Sequence, residues 1–255
     1  MNLTKSNLEE MNSLLGEGER LEDLECNNLK IIQNKNLYCF TSDSVILANF
    51  LKIKKNETAV EIGGGCGVVS ILASAKNKFK KIKIFEIQKE MQALCQKNIN
   101  LNNLQEKLDL IPDDVLNFKK YIDKNVDVVF SNPPYYRVSE TKENIVKKTA
   151  KQEVKLKLNS FVEVASKMLK FGGRFYCSYP AERACELIST CHKFNIAIKK
   201  MFFTDNGKGK ITLIFVEGVK GGKEGVLVLP MLTTNNQNGE FLEELKTRKF
   251  LENKK

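Results

Sequence analysis

The string Asn132-Pro133-Pro134-Tyr135 follows the apolar run Val126-Asp-Val-Val-Phe130-Ser131. Two prolines in a row fix φ near −65° and donate no hydrogen bond, so the turn presents acceptors in a rigid pose. Acceptors suit an amino group. An exocyclic amine conjugated to a base or amide is a poor nucleophile because its lone pair is delocalised. If the Asn132 side-chain oxygen and the Pro133 carbonyl each take one N–H, the nitrogen can pyramidalise and aim its lone pair at an electrophile. Tyr135 can hold the planar group by stacking, worth about 1 to 3 kcal/mol per base.

Three further groups point to a ligand carrying an adenosine. Glu61-Ile62-Gly63-Gly64-Gly65-Cys66-Gly67 places glycines at 63, 65 and 67 after a short apolar strand. The spacing departs from the dinucleotide pattern G-x-G-x-x-G, whose third position here is Val68. Glycine lets a backbone turn sharply and approach a ligand without a Cβ clash, and a helix start offers unpaired N–H groups. Glu86 ends the run Lys81-Ile-Lys-Ile-Phe, where a carboxylate can accept both ribose hydroxyls. Asp114, after the next strand, can receive an adenine amino group.

The elements that must position these groups alternate. The pattern predicts strands at 58–62, 81–86, 108–111 and 126–130, with helices from Ser42 to about Leu51, from the glycine loop to about Ala75, and at 89–102. Ser42 or Asp43 is expected to cap the first helix. Further on, helices at 160–169 and 181–193 flank a strand at 174–178, and paired strands follow at 196–203 and 211–216. Such alternation predicts an α/β fold with a doubly wound, Rossmann-like sheet. One domain is expected over 17–240, with a polar extension at 1–16 and a polar tail at 241–255.

Composition narrows the chemistry. The single histidine, His192, leaves little scope for Ser-His-Asp or Cys-His catalysis and none for a multi-histidine metal site. Seven scattered cysteines form no C-x-x-C pair, so neither a zinc ribbon nor a disulfide framework is indicated, and no metal is expected. No apolar run reaches the roughly 18 residues of a bilayer span, and the polar N-terminus has no signal-peptide segment, so a cytoplasmic protein is expected. Forty-one basic against thirty-one acidic residues give a net charge of +10, which favours a polyanionic partner. Between Arg137 and Lys157 stand seven basic residues against three acidic ones. In that insert Arg137, Lys147, Lys148 and Lys151 are the candidate contacts to such a partner.

These residues resemble the class I S-adenosylmethionine-dependent methyltransferases that act on amino nitrogens. Gly18-Glu-Arg-Leu-Glu-Asp-Leu24, Phe40-Thr-Ser-Asp43-Ser-Val-Ile-Leu-Ala48, Phe171-Gly-Gly-Arg-Phe175, Pro180-Ala-Glu-Arg183 and Glu217-Gly-Val-Lys-Gly-Gly-Lys223 look like the tRNA(Val) adenine-N6 methyltransferase family. The likeness runs from about Glu17 to Glu240. It implies a seven-stranded sheet whose last strand is antiparallel, S-adenosylmethionine as cofactor, and as target the adenine at position 37, immediately 3′ of the anticodon. It further implies that Gly63, Gly65 and Gly67 bound the methionine end of the cofactor, with Glu86 on its ribose and Asp114 near its adenine. Asp43, Glu61 and Asn132 complete the cofactor-binding set, and Asn132, Pro133, Pro134 and Tyr135 are the catalytic string. The expected partner is tRNA and the expected form a monomer. Gln152 in Ala150-Lys-Gln-Glu153 stands where the family pattern has His. A release-factor glutamine, a ribosomal RNA guanine or a DNA adenine remains an alternative target, and a catalytically silent RNA-binding subunit an alternative role.

Overall fold

A computed structural model of the protein describes residues 15–123, 125–133 and 157–234. The chain divides into two compact units, one ending at Asp113 and the other beginning at Asp114.

Among the described residues the first unit begins with a hairpin that the sequence did not announce: β1 (Glu19–Asp23) pairs antiparallel with β2 (Lys30–Asn34). Its strands are five residues long, and its connection contains Glu25, Asn27 and Asn28 at positive φ. Asparagine tolerates that conformation better than other non-glycine residues, which lets the turn form without glycine. Helix α1 (Ser42–Phe50) follows. Its N-cap is Thr41, not Ser42 or Asp43, and no side-chain oxygen caps it. Asp43 instead takes a hydrogen bond from the Thr41 hydroxyl at 3.0 Å.

Strand β3 (Thr58–Ile62), helix α2 (Val68–Lys76), strand β4 (Lys81–Phe85), helix α3 (Lys89–Leu101) and strand β5 (Leu108–Ile111) then alternate. β3, β4 and β5 are parallel neighbours. Ala59, Val60, Ile82 and Ile84 are almost wholly buried, as expected of parallel strands covered on both faces. Asn103, at φ 54°, follows the end of α3 in the left-handed conformation that glycine more often supplies.

Asn98 of α3 and Asn102, which caps the C-terminus of that helix, hold the hairpin. The Asn98 carboxamide accepts from the Ile32 N–H at 2.7 Å and donates to the Ile32 carbonyl at 3.0 Å. Asn102 does the same for Lys30, at 2.9 and 2.7 Å. Lys30 and Ile32 point the same backbone edge outward because strand residues alternate with period two, and residues four apart share a helix face. The Asn98 Nδ2 also donates to the Cys66 carbonyl at 3.0 Å, so the same amide touches the glycine loop.

The second unit begins with a 3-10 turn at Val115–Lys120 and continues with β6 (Val126–Ser131), helix α4 (Leu158–Met168), β7 (Leu169–Pro180), helix α5 (Ala184–Lys193), β8 (Ile196–Asp205) and β9 (Ile211–Lys220). β6 and β7 are parallel, and β9 lies antiparallel between β7 and β8. The three parallel strands of the first unit and these four supply the seven expected, and the last, β9, is the antiparallel one. Two-residue strands β10 (Leu227–Val228) and β11 (Leu232–Thr233) add to the parallel edge of β8 beyond that set. β7 is longer than its apolar run because the chain bulges at Gly172, φ 75°, before pairing resumes at Arg174. Phe202 and Phe215 stack at 4.9 Å across β8 and β9 in its core. Among the described residues no helix is long and apolar enough to cross a membrane.

Candidate active site

Glycine is required at the turn after β3. Gly63, Gly65 and Gly67 have φ of 69°, 56° and 86°, a region that side chains with a Cβ enter only at a cost. The N–H groups of Gly63 and Gly64 both donate to the Phe85 carbonyl, at 2.9 and 3.0 Å, which ties the loop to the end of β4. A Cβ on Gly63 would meet nothing within 4 Å, whereas one on Gly64 would sit 2.1 Å from the Ile84 Cγ2. The loop thus has one face packed on β4 and an open approach at Gly63, the cradle that an elongated ligand needs.

Glu86 closes the other side of this cradle. It is 4% exposed, and its carboxylate takes three backbone hydrogen bonds: Gly65 N–H at 2.8 Å on one oxygen, Ile87 and Gln88 N–H at 2.9 Å on the other. The side chain therefore pins the glycine loop to the start of α3. A carboxylate has about four lone-pair sites, so these three amides leave room for one hydroxyl donor.

Glu61 lies beneath the loop, 1% exposed, and accepts a short hydrogen bond from the Ser70 hydroxyl of α2. Burial pushes its carboxyl from the ordinary 4.5 up to about 8; the Ser70 hydrogen bonds oppose the shift and the Glu86 charge adds to it. A raised carboxyl stabilises the fold fully below the unfolded value and loses that contribution as pH rises through the folded one. The protein is therefore expected to lose thermal stability between about pH 4.5 and 8 relative to Glu61→Gln, which cannot ionise. Parallel melting curves for the two proteins over that range would refute the buried-acid assignment. Burial likewise pushes the Cys66 thiol up to about 12 and the Cys95 thiol well above its usual value. Neither is a thiolate at neutral pH.

Asp43 sits in the first turn of α1, where burial raises its carboxyl and hydrogen bonds from Thr41 and Ser42 oppose the shift. The first unit thus brings Glu61, Gly63, Gly65, Gly67 and Glu86 together at the C-terminal ends of β3 and β4.

In the second unit Asp114 caps its 3-10 turn, accepting from the Leu116 N–H at 2.9 Å. Asn132 and Pro133, both half-buried, follow directly on β6. The Asn132 Oδ1 accepts a hydrogen bond from the Ser178 hydroxyl at 2.5 Å. Sequence reasoning did not single out Ser178, a serine within the apolar Phe175-Tyr-Cys-Ser-Tyr179; its signal was a polar residue near the C-terminal end of a buried strand. Pro134, Tyr135, Arg137, Lys147, Lys148, Lys151 and Gln152 lie outside the described residues.

The chain is similar to known proteins in sequence and in fold. A tRNA1(Val) (adenine(37)-N6)-methyltransferase from Tolumonas auensis is 22% identical over 79% of this chain and 85% of its own. The enzyme of the same name from Histophilus somni strain 129Pt is 24% identical over 81% and 86%. Among solved structures, a predicted O-methyltransferase from Agrobacterium tumefaciens superposes with a TM-score of 0.61 at 14% identity, covering 80% of this chain and 95% of its own. The tRNA m1G37 methyltransferase of M. jannaschii gives 0.56 at 18%, over 82% and 59%. The fold is that of the class I S-adenosylmethionine-dependent methyltransferases. Residues 28–188 match the family model described as the methyltransferase small domain, and the chain, a methyltransferase, belongs to that family.

Proposed function

We propose that the protein methylates the N6 amine of an adenine in tRNA, at position 37 beside the anticodon of tRNA(Val). The observation that carries this reading is an asparagine carboxamide held at the C-terminal end of β6, followed by proline. The names of the relatives supply the substrate.

The chain's own residues divide the work. The open glycine loop holds the methionine end of the cofactor, Glu86 shares its carboxylate with a ribose hydroxyl, and Asp114 meets the adenine. Asp43 and Glu61 support that binding from α1 and from beneath the loop. Asn132 Oδ1 and the Pro133 carbonyl accept the two N–H groups of the target amine, Pro134 stiffens the turn, and Tyr135 stacks on the base. With both hydrogens held, the nitrogen lone pair leaves conjugation with the ring. When bound, S-adenosylmethionine would supply an electrophilic methyl group on a sulfonium sulfur, whose carbon–sulfur bond gives way to the new carbon–nitrogen bond with the neutral thioether S-adenosylhomocysteine as leaving group. The surplus amine proton leaves along the accepting oxygens to water. An anticodon loop offers a base that needs no extrusion from a duplex. The protein acts as a monomer in the cytoplasm.

Incubation with labelled cofactor and total tRNA, followed by digestion to nucleosides, tests the reading. Label in N6-methyladenosine supports it; label in a guanine derivative or in protein alone sinks it. The insert after the catalytic string supplies a separate test. If Lys147, Lys148 and Lys151 meet phosphates, replacing all three by Gln weakens tRNA binding. The log–log salt slope then shrinks by about 0.7 to 0.9 per lost contact. Unchanged slope and affinity leave these lysines as solvated charge.

A further inference from the structure

We infer that Ser178 is a positioning residue for Asn132, fixing which end of the carboxamide faces the target amine. The inference rests on the role of Asn132 proposed above. Its structural part stands apart from any substrate.

Register explains the contact. β6 and β7 run parallel with Ser131 opposite Cys177, so one step further along brings Asn132 beside Ser178. Parallel partners project their side chains to the same face. Ser178 is fully buried, at 0% exposure, and its hydroxyl reaches the Asn132 Oδ1 at 2.5 Å. The donor is held by a strand, not by a loop.

A carboxamide has two unlike ends of nearly equal shape. The oxygen accepts through two lone pairs, the nitrogen donates two hydrogens, and a half-turn about the Cβ–Cγ bond exchanges them. Only the oxygen end can receive the N–H of an amine awaiting methylation. With the amide reversed, donor would face donor and the amine would keep its conjugated, planar form. A serine hydroxyl can accept as well as donate, but a 2.5 Å contact suits O–H···O and is short for N–H···O, so the hydroxyl of the neighbouring strand donates into the oxygen and favours the useful orientation. Ser178 touches neither substrate nor cofactor in this scheme; it acts through Asn132.

The test uses the full chain carrying Ser178→Ala or Ser178→Thr. Single-turnover methyl transfer to tRNA is expected to fall about 10-fold in Ser178→Ala, the effect of one lost hydrogen bond of about 1.4 kcal/mol. Cofactor affinity should stay within about twofold, and Ser178→Thr, which keeps the hydroxyl, should recover most of the rate. A purely structural role would not predict the next result. In an Asn132→Asp background both ends are oxygens and orientation no longer matters, so adding Ser178→Ala should cost less than about twofold. The Asn132 side-chain NH₂ resonance, assigned by its loss in Asn132→Ala, should shift or split in Ser178→Ala and return in Ser178→Thr. An unmoved resonance, or an undiminished rate loss in the Asn132→Asp background, overturns the inference. If the wild-type protein methylates no RNA, the function proposed above fails, and the resonance alone decides Ser178.

Discussion

Replacing Asn132 by Ala is expected to slow single-turnover methyl transfer by on the order of 10²-fold or more, the loss that follows removal of one preorganised polar group from a transition state. The chemistry explains why binding should be spared. The carboxamide acts on an amine whose lone pair becomes available only as the new bond forms, so its hydrogen bond strengthens toward the transition state. Removing such an interaction lowers kcat and kcat/KM together and leaves affinities nearly unchanged. Cofactor titration and tRNA binding by the variant should therefore match the wild type. A normal single-turnover rate in Asn132→Ala would remove the amine-polarising role altogether.

The second large effect is expected at Glu86. Its carboxylate accepts from the N–H groups of Gly65, Ile87 and Gln88, so Glu86→Ala leaves three amides short of an acceptor and frees the glycine loop from α3. Hydrogen bonds to charged groups are worth about 1.5 to 3 kcal/mol each; with three of about four lone-pair sites taken by amides, one remains for a ribose hydroxyl, and losing it would weaken cofactor binding about 10- to 100-fold. A lowered melting temperature should accompany that loss, since the same carboxylate holds the loop. Glu86→Gln, which keeps one acceptor oxygen, should fall between. Calorimetry with S-adenosylmethionine separates the roles: a destabilised variant with unchanged affinity would falsify the ribose assignment and leave Glu86 as a loop anchor.

Much of the frame was readable from residue pattern. Strand β3 at 58–62 and β5 at 108–111 coincide with their apolar runs, and α3 ends within one residue of its expected limit. Continuous apolar runs closed by glycine or polar residues leave few alternatives for a parallel strand. The hairpin was missed for a physical reason. Its residues, Glu-Arg-Leu-Glu-Asp and Lys-Ile-Ile-Gln-Asn, are polar or short, and what holds them is the side chains of Asn98 and Asn102, about 70 residues away in sequence. At the site, Gly63, Gly65, Gly67 and Glu86 were identifiable because backbone conformation and strand-end position depend on local sequence. The Ser178 contact was not, because it exists only through the register of two strands. Gly64 had no assigned task in sequence; the space denied to it by Ile84 appears only once β3 and β4 lie side by side.

The bonds of Asn98 also bear on how far the chain can be trimmed. The family match begins at residue 28, inside the hairpin, which suggests cutting ahead of β2 or just before α1 to obtain a minimal enzyme. A cut before α1 would delete Ile32 and strip the Asn98 amide, fully buried, of two partners while leaving its third, the Cys66 carbonyl. The vacated amide would either take in water beside the glycine loop or turn away and release it. The hairpin is therefore an internal wall of the fold, and a truncation series should find the loop's rigidity lost together with it.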